Sequence, residues 1–414
     1  MFNLSFALYL SGILAGGRFD KGIVTIFSGV KLHSEHFLAG GGFAYRGIKY
    51  GVAGRFEHAR PNADFSYLAD PNRVKGGHCV IGFLSTGDEV APGNWAIGDL
   101  KLALNWTIHN VAAFGGDPTK ITIFGESSGG VLTSALLLDE NVSQKVKGGI
   151  AFSGSILAGW AVIKSPKVGT LMLAGNLGCP NTTSAEAVSC LKALPYETLL
   201  NGTLPLEKGV GLARKALEEL DTCSPKTSAR SLLILTLPLT TPVADGLHLT
   251  KLPEDILRAR AGAPDKSSEK KRANIVSGYL REDAALYTLN LMFGVSAMKE
   301  SMLYAHISDD ANQMFLISYD IEFKRMGAFH CMQIHHLFRG SCHAFLKAIA
   351  SEAVSEALTD HVHLIVYTGR YEGPYFGQEG HYHELTQDGN FVNKKADFAA
   401  KVRLLEDLLS CGAG

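Results

Sequence analysis

Between residues 97 and 138 the chain switches from one hydrophobic period to another and back, and the turn at the second switch constrains the fold most. Ile97, Leu100, Leu104, Ile108 and Val111 recur at steps of three and four, which puts one apolar stripe on a helix. Gly115-Gly116 supplies a C-terminal stop, and Asp117-Pro118 turns the chain. Ile121-Thr122-Ile123-Phe124 has the composition of a short strand. Gly129-Gly130 and then Val131 to Leu138 restart a helical pattern. Helix, strand, tight turn and helix within about forty residues predict a parallel α/β layer. The turn reads Gly125-Glu126-Ser127-Ser128-Gly129. This G-x-S-x-G pattern is common at such a glycine content; its placement after a strand and before a helix gives it meaning. A serine on so cramped a turn needs flanking glycines to avoid clashes, and its hydroxyl is pushed clear of the sheet. The following helix aims N–H groups and its positive end at the same spot. Ser127 is therefore the candidate nucleophile.

Composition narrows the classes. The 414 residues carry 39 Lys plus Arg against 40 Asp plus Glu, a formal charge of −1, so no field draws the chain toward nucleic acid or anionic lipid. Hydrophobic residues at 46% and charged residues at 19% exclude disorder and fit a large core. The length would allow two or three domains, but no linker, repeat or boundary interrupts it, so one domain over 1–414 is expected. Residues 1–17 form a short apolar stretch that reads either as a signal-like segment or as a buried element. It is too short and glycine-interrupted to cross a membrane, and no later run reaches roughly 18 apolar residues, so no integral span is expected. Asn-x-Ser/Thr triplets start at Asn3, Asn105, Asn141, Asn181 and Asn201, which permits secretion. Seven cysteines are too few for a disulfide scaffold, and the odd number leaves at least one thiol unpaired within the chain. Residues 265–272 read as an exposed loop, and Phe398, Val402, Leu405 and Leu409 as an amphipathic helix.

A longer pattern surrounds the serine. Gly93-Asn94-Trp95, then Phe114-Gly115-Gly116-Asp117-Pro118, then Phe124 through Gly130, with Gly82 to Asp88 upstream, resembles the type-B carboxylesterase/lipase family, especially its carboxylesterases and bile-salt-activated lipase. The resemblance implies an α/β-hydrolase fold, with a central, mostly parallel sheet flanked by helices. It also implies a serine hydrolase that cleaves small-molecule or lipid carboxylic esters through an acyl-enzyme, with no cofactor. The segment Gly327 to Ile334 is similar to the family's catalytic-histidine segment and nominates His330, with His335 and His336 belonging to the element that follows. Gly278-Tyr279-Leu280-Arg281-Glu282-Asp283 nominates Asp283 as the orienting acid, with Glu282 as its rival. The order Ser127, Asp283, His330 is the one expected of this fold. Ala39-Gly40-Gly41-Gly42-Phe43 resembles the family's glycine run; it implies oxyanion donors at Gly41, Gly42 and the Ser128 amide, where a Cβ would block approach. Glu126 and Ser153 fall beside this triad. Cys179 and Cys190 resemble a family disulfide, which would suit an oxidising, secretory compartment. The pairing of Cys79, Cys223, Cys331, Cys342 and Cys411 stays open, as does the oligomeric state. His361-Val362-His363 and His381-Tyr382-His383 read as strands carrying paired imidazoles; lacking further ligands nearby, they are taken as surface histidines and no metal is assigned.

The chain also departs from the family. Family members carry a much longer section before the glycine run, and the position preceding the run, often aromatic or His, is Ala39. The strand expected between Gly47 and Cys79 is hard to find. Asp283 and His330 stand 47 residues apart, a shorter interval than is usual. The fold is therefore expected to be shortened. Two further readings remain beside catalysis: an inactive esterase-like binding or adhesion protein of the neuroligin branch, and a truncated variant with impaired activity.

Overall fold

A computed structural model of the chain describes residues 23–25, 28–29, 31–33, 36–38, 42–44, 48, 50–62, 82–203, 241–263, 274–280, 294–307, 312–317, 332–337, 352–368, 381–386 and 388–395. The segments 1–17 and 265–272 and the C-terminal amphipathic stretch lie outside these residues.

Three small hairpins come first, each a two-stranded antiparallel sheet: β1 (Ile23–Thr25) with β2 (Lys31–His33), β3 (His36–Leu38) with β4 (Gly42–Ala44), and β5 (Gly51–Val52) with β6 (Arg60–Pro61). Then follow α1 (Trp95–Asn110), β7 (Thr122–Glu126), α2 (Ser128–Leu138), α3 (Glu140–Ser143) and β8 (Gly148–Phe152). The next elements are α4 (Pro166–Asn176), α5 (Ser184–Ala193), α6 (Pro253–Ala261), β9 (Asn274–Leu280) and α7 (Ser296–Ile307). The last are β10 (Asn312–Ile317), α8 (Met332–Leu337), α9 (Glu352–Thr368), β11 (His381–Leu385) and β12 (Phe391–Lys395).

Strands β7 to β12 build one six-stranded sheet in the order β12-β11-β10-β9-β8-β7; all neighbours run parallel except the terminal β11–β12 hairpin. The helix stripe, glycine stop, strand and second helix read from 97–138 stand where the periodicity put them, with Gly115 at φ 79° closing the single 3₁₀ turn that follows α1. Successive strand residues face opposite layers. Ile123 and Ile275 pack with Leu104, Val131, Leu136 and Leu303 on one face, while Phe124, Ile150 and Val276, in register across three strands, pack with Val354, Leu358 and Ile365 of α9 on the other. Helices on both faces of a parallel sheet are what its buried, apolar strands require. Among the described residues β7 is the edge strand, and none of the early hairpins joins the sheet; residues 63–81, where much of the strand expected before Cys79 would fall, lie outside them.

A third core holds the helical pair α4–α5 against the body through Phe56, Leu84, Trp95, Leu173, Val188 and Leu191. The Cys179–Cys190 disulfide ties the turn after α4 to α5. Thr183 caps α5, its hydroxyl accepting from the Glu186 N–H at 3.3 Å while the Glu186 carboxylate accepts from Thr183 at 2.7 Å. Arg55 closes the other end of α5 by donating to the Lys192 carbonyl at 3.0 Å and to that of Leu194.

One element contradicts its sequence reading. His361 and His363 lie on helix α9, not on a strand, so residues two apart do not share a face. His361 is buried rather than superficial and stacks on Phe391 at 4.3 Å.

Candidate active site

The C-terminal ends of β7, β8 and β9 lie side by side at one edge of the sheet, the edge at which parallel α/β sheets bind ligands. Ser127 follows β7 directly and holds φ 59° and ψ −121°. That backbone costs a non-glycine residue about 1–3 kcal/mol and persists only where its surroundings fix it. They do so here with two main-chain hydrogen bonds: the Ser127 N–H donates to the Phe152 carbonyl at 2.9 Å, and the Val131 N–H donates to the Ser127 carbonyl at 3.1 Å. A Cβ on Gly125 would sit 2.2 Å from the Gly129 carbonyl oxygen, one on Gly130 2.8 Å from that of Phe152, and one on Gly154 2.0 Å from that of Ser127. The glycine requirement thus falls on Gly125, Gly130 and Gly154; a Cβ on Gly129, which the motif also names, would meet nothing within 4 Å. Gly149 lets α2 settle close on β8, since a Cβ there would be 2.6 Å from Leu137.

Ser153 occupies the equivalent point after β8. It too has positive φ, 47°, is fully buried, and its N–H donates to the Gly278 carbonyl of β9 at 2.7 Å. Its hydroxyl accepts from the Gln333 side chain of α8 at 3.0 Å, with both residues buried. This bond ties the helix that begins two residues after His330 to the strand end beside Ser127. His335 and His336 belong to that helix, and His336 Nδ1 lies 2.9 Å from the Ser355 hydroxyl of α9. Ser128 is the first residue of α2, so its amide is among those with no acceptor inside the helix. Glu126 ends β7, half-buried. Gly42 opens β4, opposite Leu38. Asp283, three residues beyond the end of β9, its rival Glu282, His330 and Gly41 lie outside the described residues.

Two features escaped the sequence. The loop Gly82 to Asn94, which carries much of the motif, is a hydrogen-bonded hub. Buried Asn94, at φ 56°, exchanges two bonds with the backbone of Val243, donating at 2.7 Å and accepting at 3.0 Å. Ser85 donates to the carbonyls of Ala91 and Pro92, and Thr170 of α4 donates to the Ser85 carbonyl at 2.5 Å. The second feature is Glu300 on α7, 0% exposed, whose carboxylate accepts from the Ser134 hydroxyl of α2. Burial raises its pKa to about 7, against the opposing hydrogen bonds of Ser134 and Ser155. Elsewhere burial holds His361 neutral, lowering its pKa to about 3 with help from neighbouring His383, and takes His248 to about 4, assisted by Lys101. Among the described residues no group of three or more His, Cys, Asp or Glu side chains is arranged to hold a metal.

The family model described as "Carboxylesterase family" matches residues 78–302, more than half of the chain and the whole of the strand–serine–helix unit. The chain belongs to the carboxylesterase family. Its sheet and helices are those of an α/β-hydrolase. It is 39% identical over 178 residues to carboxylesterase 1E of Mus musculus, a match covering 43% of this chain and 29% of the relative. It is 42% identical over 122 residues to neuroligin-2 of Homo sapiens, 30% and 15% of the two chains. It is 40% identical over 129 residues to the bile salt-activated lipase of Mus musculus, 31% and 22% of the two. The matched stretches therefore span less than a third of each of these relatives.

Proposed function

We propose that the chain is a serine hydrolase that cleaves carboxylic esters through an acyl-enzyme. The strained backbone of Ser127, held by glycines between β7 and α2, carries this reading, because a packing role needs no serine at such a φ. In the proposed cycle Ser127 attacks the ester carbonyl, and His330 takes its proton and passes it to the leaving alcohol. Asp283 orients His330 and steadies the imidazolium. The amides of Gly41, Gly42 and Ser128 receive the oxyanion. Water then repeats the sequence to release the acid. Glu126 and Ser153 support the turn without touching substrate. The substrate class is a small-molecule or lipid carboxylic ester, as the names of the carboxylesterase and lipase relatives suggest. The Cys179–Cys190 disulfide supports a secretory-pathway lumen or the exterior as the compartment.

The similarity to neuroligin-2 favours a second reading, a binding protein without catalysis. Against it stands the joint presence of Ser127, Asp283 and His330, which binding alone does not need. A fluorophosphonate probe separates the two: the native chain is labelled and Ser127→Ala is not. Equal labelling of both, or none of the native protein, refutes catalysis. Since His330 must be neutral to act, hydrolysis falls on acidification through about pH 6–7.

A further inference from the structure

Of the sequence's Asn-x-Ser/Thr triplets, four begin at described residues, and the fold treats them differently. Asn105 sits within α1, half-buried, with its side-chain oxygen accepting from Lys145 at 3.2 Å. Asn141 lies in α3 and its partner Ser143 is 1% exposed. Asn201 is helical too, and its partner Thr203 is buried, with the hydroxyl donating to the Leu200 carbonyl at 2.8 Å. Asn181 alone among these four lies outside helix and strand, in the turn between Cys179-Pro180 and α5, and Asn181, Thr182 and Thr183 are all exposed. The same stretch borders an unusual surface. Val168 and Met172, one helical turn apart on α4, are 61% and 48% exposed, and Gly175 continues their face. The Asn181 amide nitrogen rests on that face: a Cβ on Gly175 would lie 2.6 Å from it.

We propose that Asn181 is a glycosylation site whose N-linked glycan lies along α4 and covers the Val168–Met172 stripe. The inference rests on the secretory compartment argued above. The donor is a lipid-diphosphate-linked oligosaccharide. The Asn181 amide nitrogen bonds to its anomeric carbon, the carbon–oxygen bond to the diphosphate breaks, the lipid diphosphate leaves with the electron pair, and one amide proton passes to a base of the transferase. From Gly175 back to Val168 is about 10 Å along the helix axis, within reach of the first sugars. The C–H faces of those sugars suit an apolar stripe that no described side chain covers.

The test expresses the full chain behind a heterologous secretory leader in a eukaryotic cell, with peptide mapping after enzymatic deglycosylation in heavy-oxygen water. The Asn181 peptide is expected to carry the mass of deamidation, while those of Asn105, Asn141 and Asn201 are not. Asn181→Gln and Thr183→Asn lose one glycan step on a gel; Thr183→Asn keeps an α5 cap, so its loss is not one of folding. Thr183→Ser keeps both triplet and cap and retains the step. Natively deglycosylated protein binds more of an apolar dye than the glycosylated form, and Met172→Ser abolishes that increase. An unmodified Asn181 in secreted, disulfide-bonded protein overturns the site, and dye binding unchanged by glycan removal overturns the covering role. Because the leader guarantees entry to the lumen, neither result bears on the compartment, which is tested apart by whether the chain's own N-terminus secretes it.

Discussion

Replacing Glu300 by Gln should stabilise the protein, and only above a defined pH. Glu300 is fully buried, and its pKa stands at about 7 in the folded chain against 4.5 for an ordinary glutamate. Below pH 4.5 folded and unfolded chains both hold the proton and the residue contributes no pH dependence. Between 4.5 and 7 the unfolded chain releases its proton while the folded chain keeps it, so stability falls as pH rises. Above 7 both forms are ionised and the deficit is constant. At about 1.4 kcal/mol per pH unit, the interval between the two pKa values makes that deficit about 3 kcal/mol. Gln has nearly the same shape, keeps an oxygen to accept from Ser134 and never ionises. The stability gain of Glu300→Gln over the native chain should be near zero at pH 4.5 and reach about 3 kcal/mol at pH 8. Urea titrations of both proteins at pH 4.5, 6 and 8 measure it. A gain of the same size at every pH, or a loss at pH 8, would refute the idea that a buried carboxylate is the source.

Three other outcomes follow from single contacts. His361 has the opposite sign to Glu300: its pKa is depressed to about 3, so its contribution is intact above 6.5 and is lost as pH falls below that. His361→Phe should remove up to about 1.4 kcal/mol per pH unit from the slope of stability between pH 6.5 and 4, read from thermal melts across that range. Cys190→Ser opens a bridge between residues 11 apart in sequence, and the loss should be about 3 kcal/mol; reductant should bring the native protein down to the variant's melting temperature. Gly154→Ala puts a Cβ 2.0 Å from the Ser127 carbonyl oxygen, so the turn itself must move. A cost of about 1–3 kcal/mol is expected, with fluorophosphonate labelling falling further than the folded fraction.

What the sequence showed plainly was whatever repeats locally. The stripe from Ile97 to Val111 and the apolar run Val131 to Leu138 became α1 and α2 because burial on one face leaves its period in the chain. Gly125 was legible because a tight turn next to a serine leaves few other choices. Gly130 and Gly154 were not, since the groups that exclude a side chain there are main-chain atoms of another strand end. Asn94 hid its role for a similar reason: Val243 is 149 residues away. Glu300 carried no signal in the sequence, since nothing local marks it as buried. The misreading of His361 was avoidable. Val354, Leu358, His361 and Ile365 recur at steps of four, three and four, a helical period in which the histidine occupies an apolar position. The spacing of His361 and His363, two residues apart, suggested one face of a strand instead.

The proposed triad also accounts for the small residues between its members. Parallel neighbours lie about 4.8 Å apart, so the ends of β7 and β9 are separated by about 10 Å with β8 between them. An imidazole that bonds a serine after β7 and a carboxylate after β9 has to lie over the end of β8. That strand is followed by Ser153-Gly154-Ser155, three small residues that include a hydrogen-bonding anchor. The anchor is used: Ser153 is bonded to Gln333, and α8 then runs on from a segment that includes His330. Glycine at 154 leaves room for the Ser127 carbonyl, which in turn accepts from Val131 and sets the first turn of α2. The strained serine and the cleared strand end therefore depend on each other. A bulkier residue after β8 would cost the turn its geometry before it ever touched a substrate.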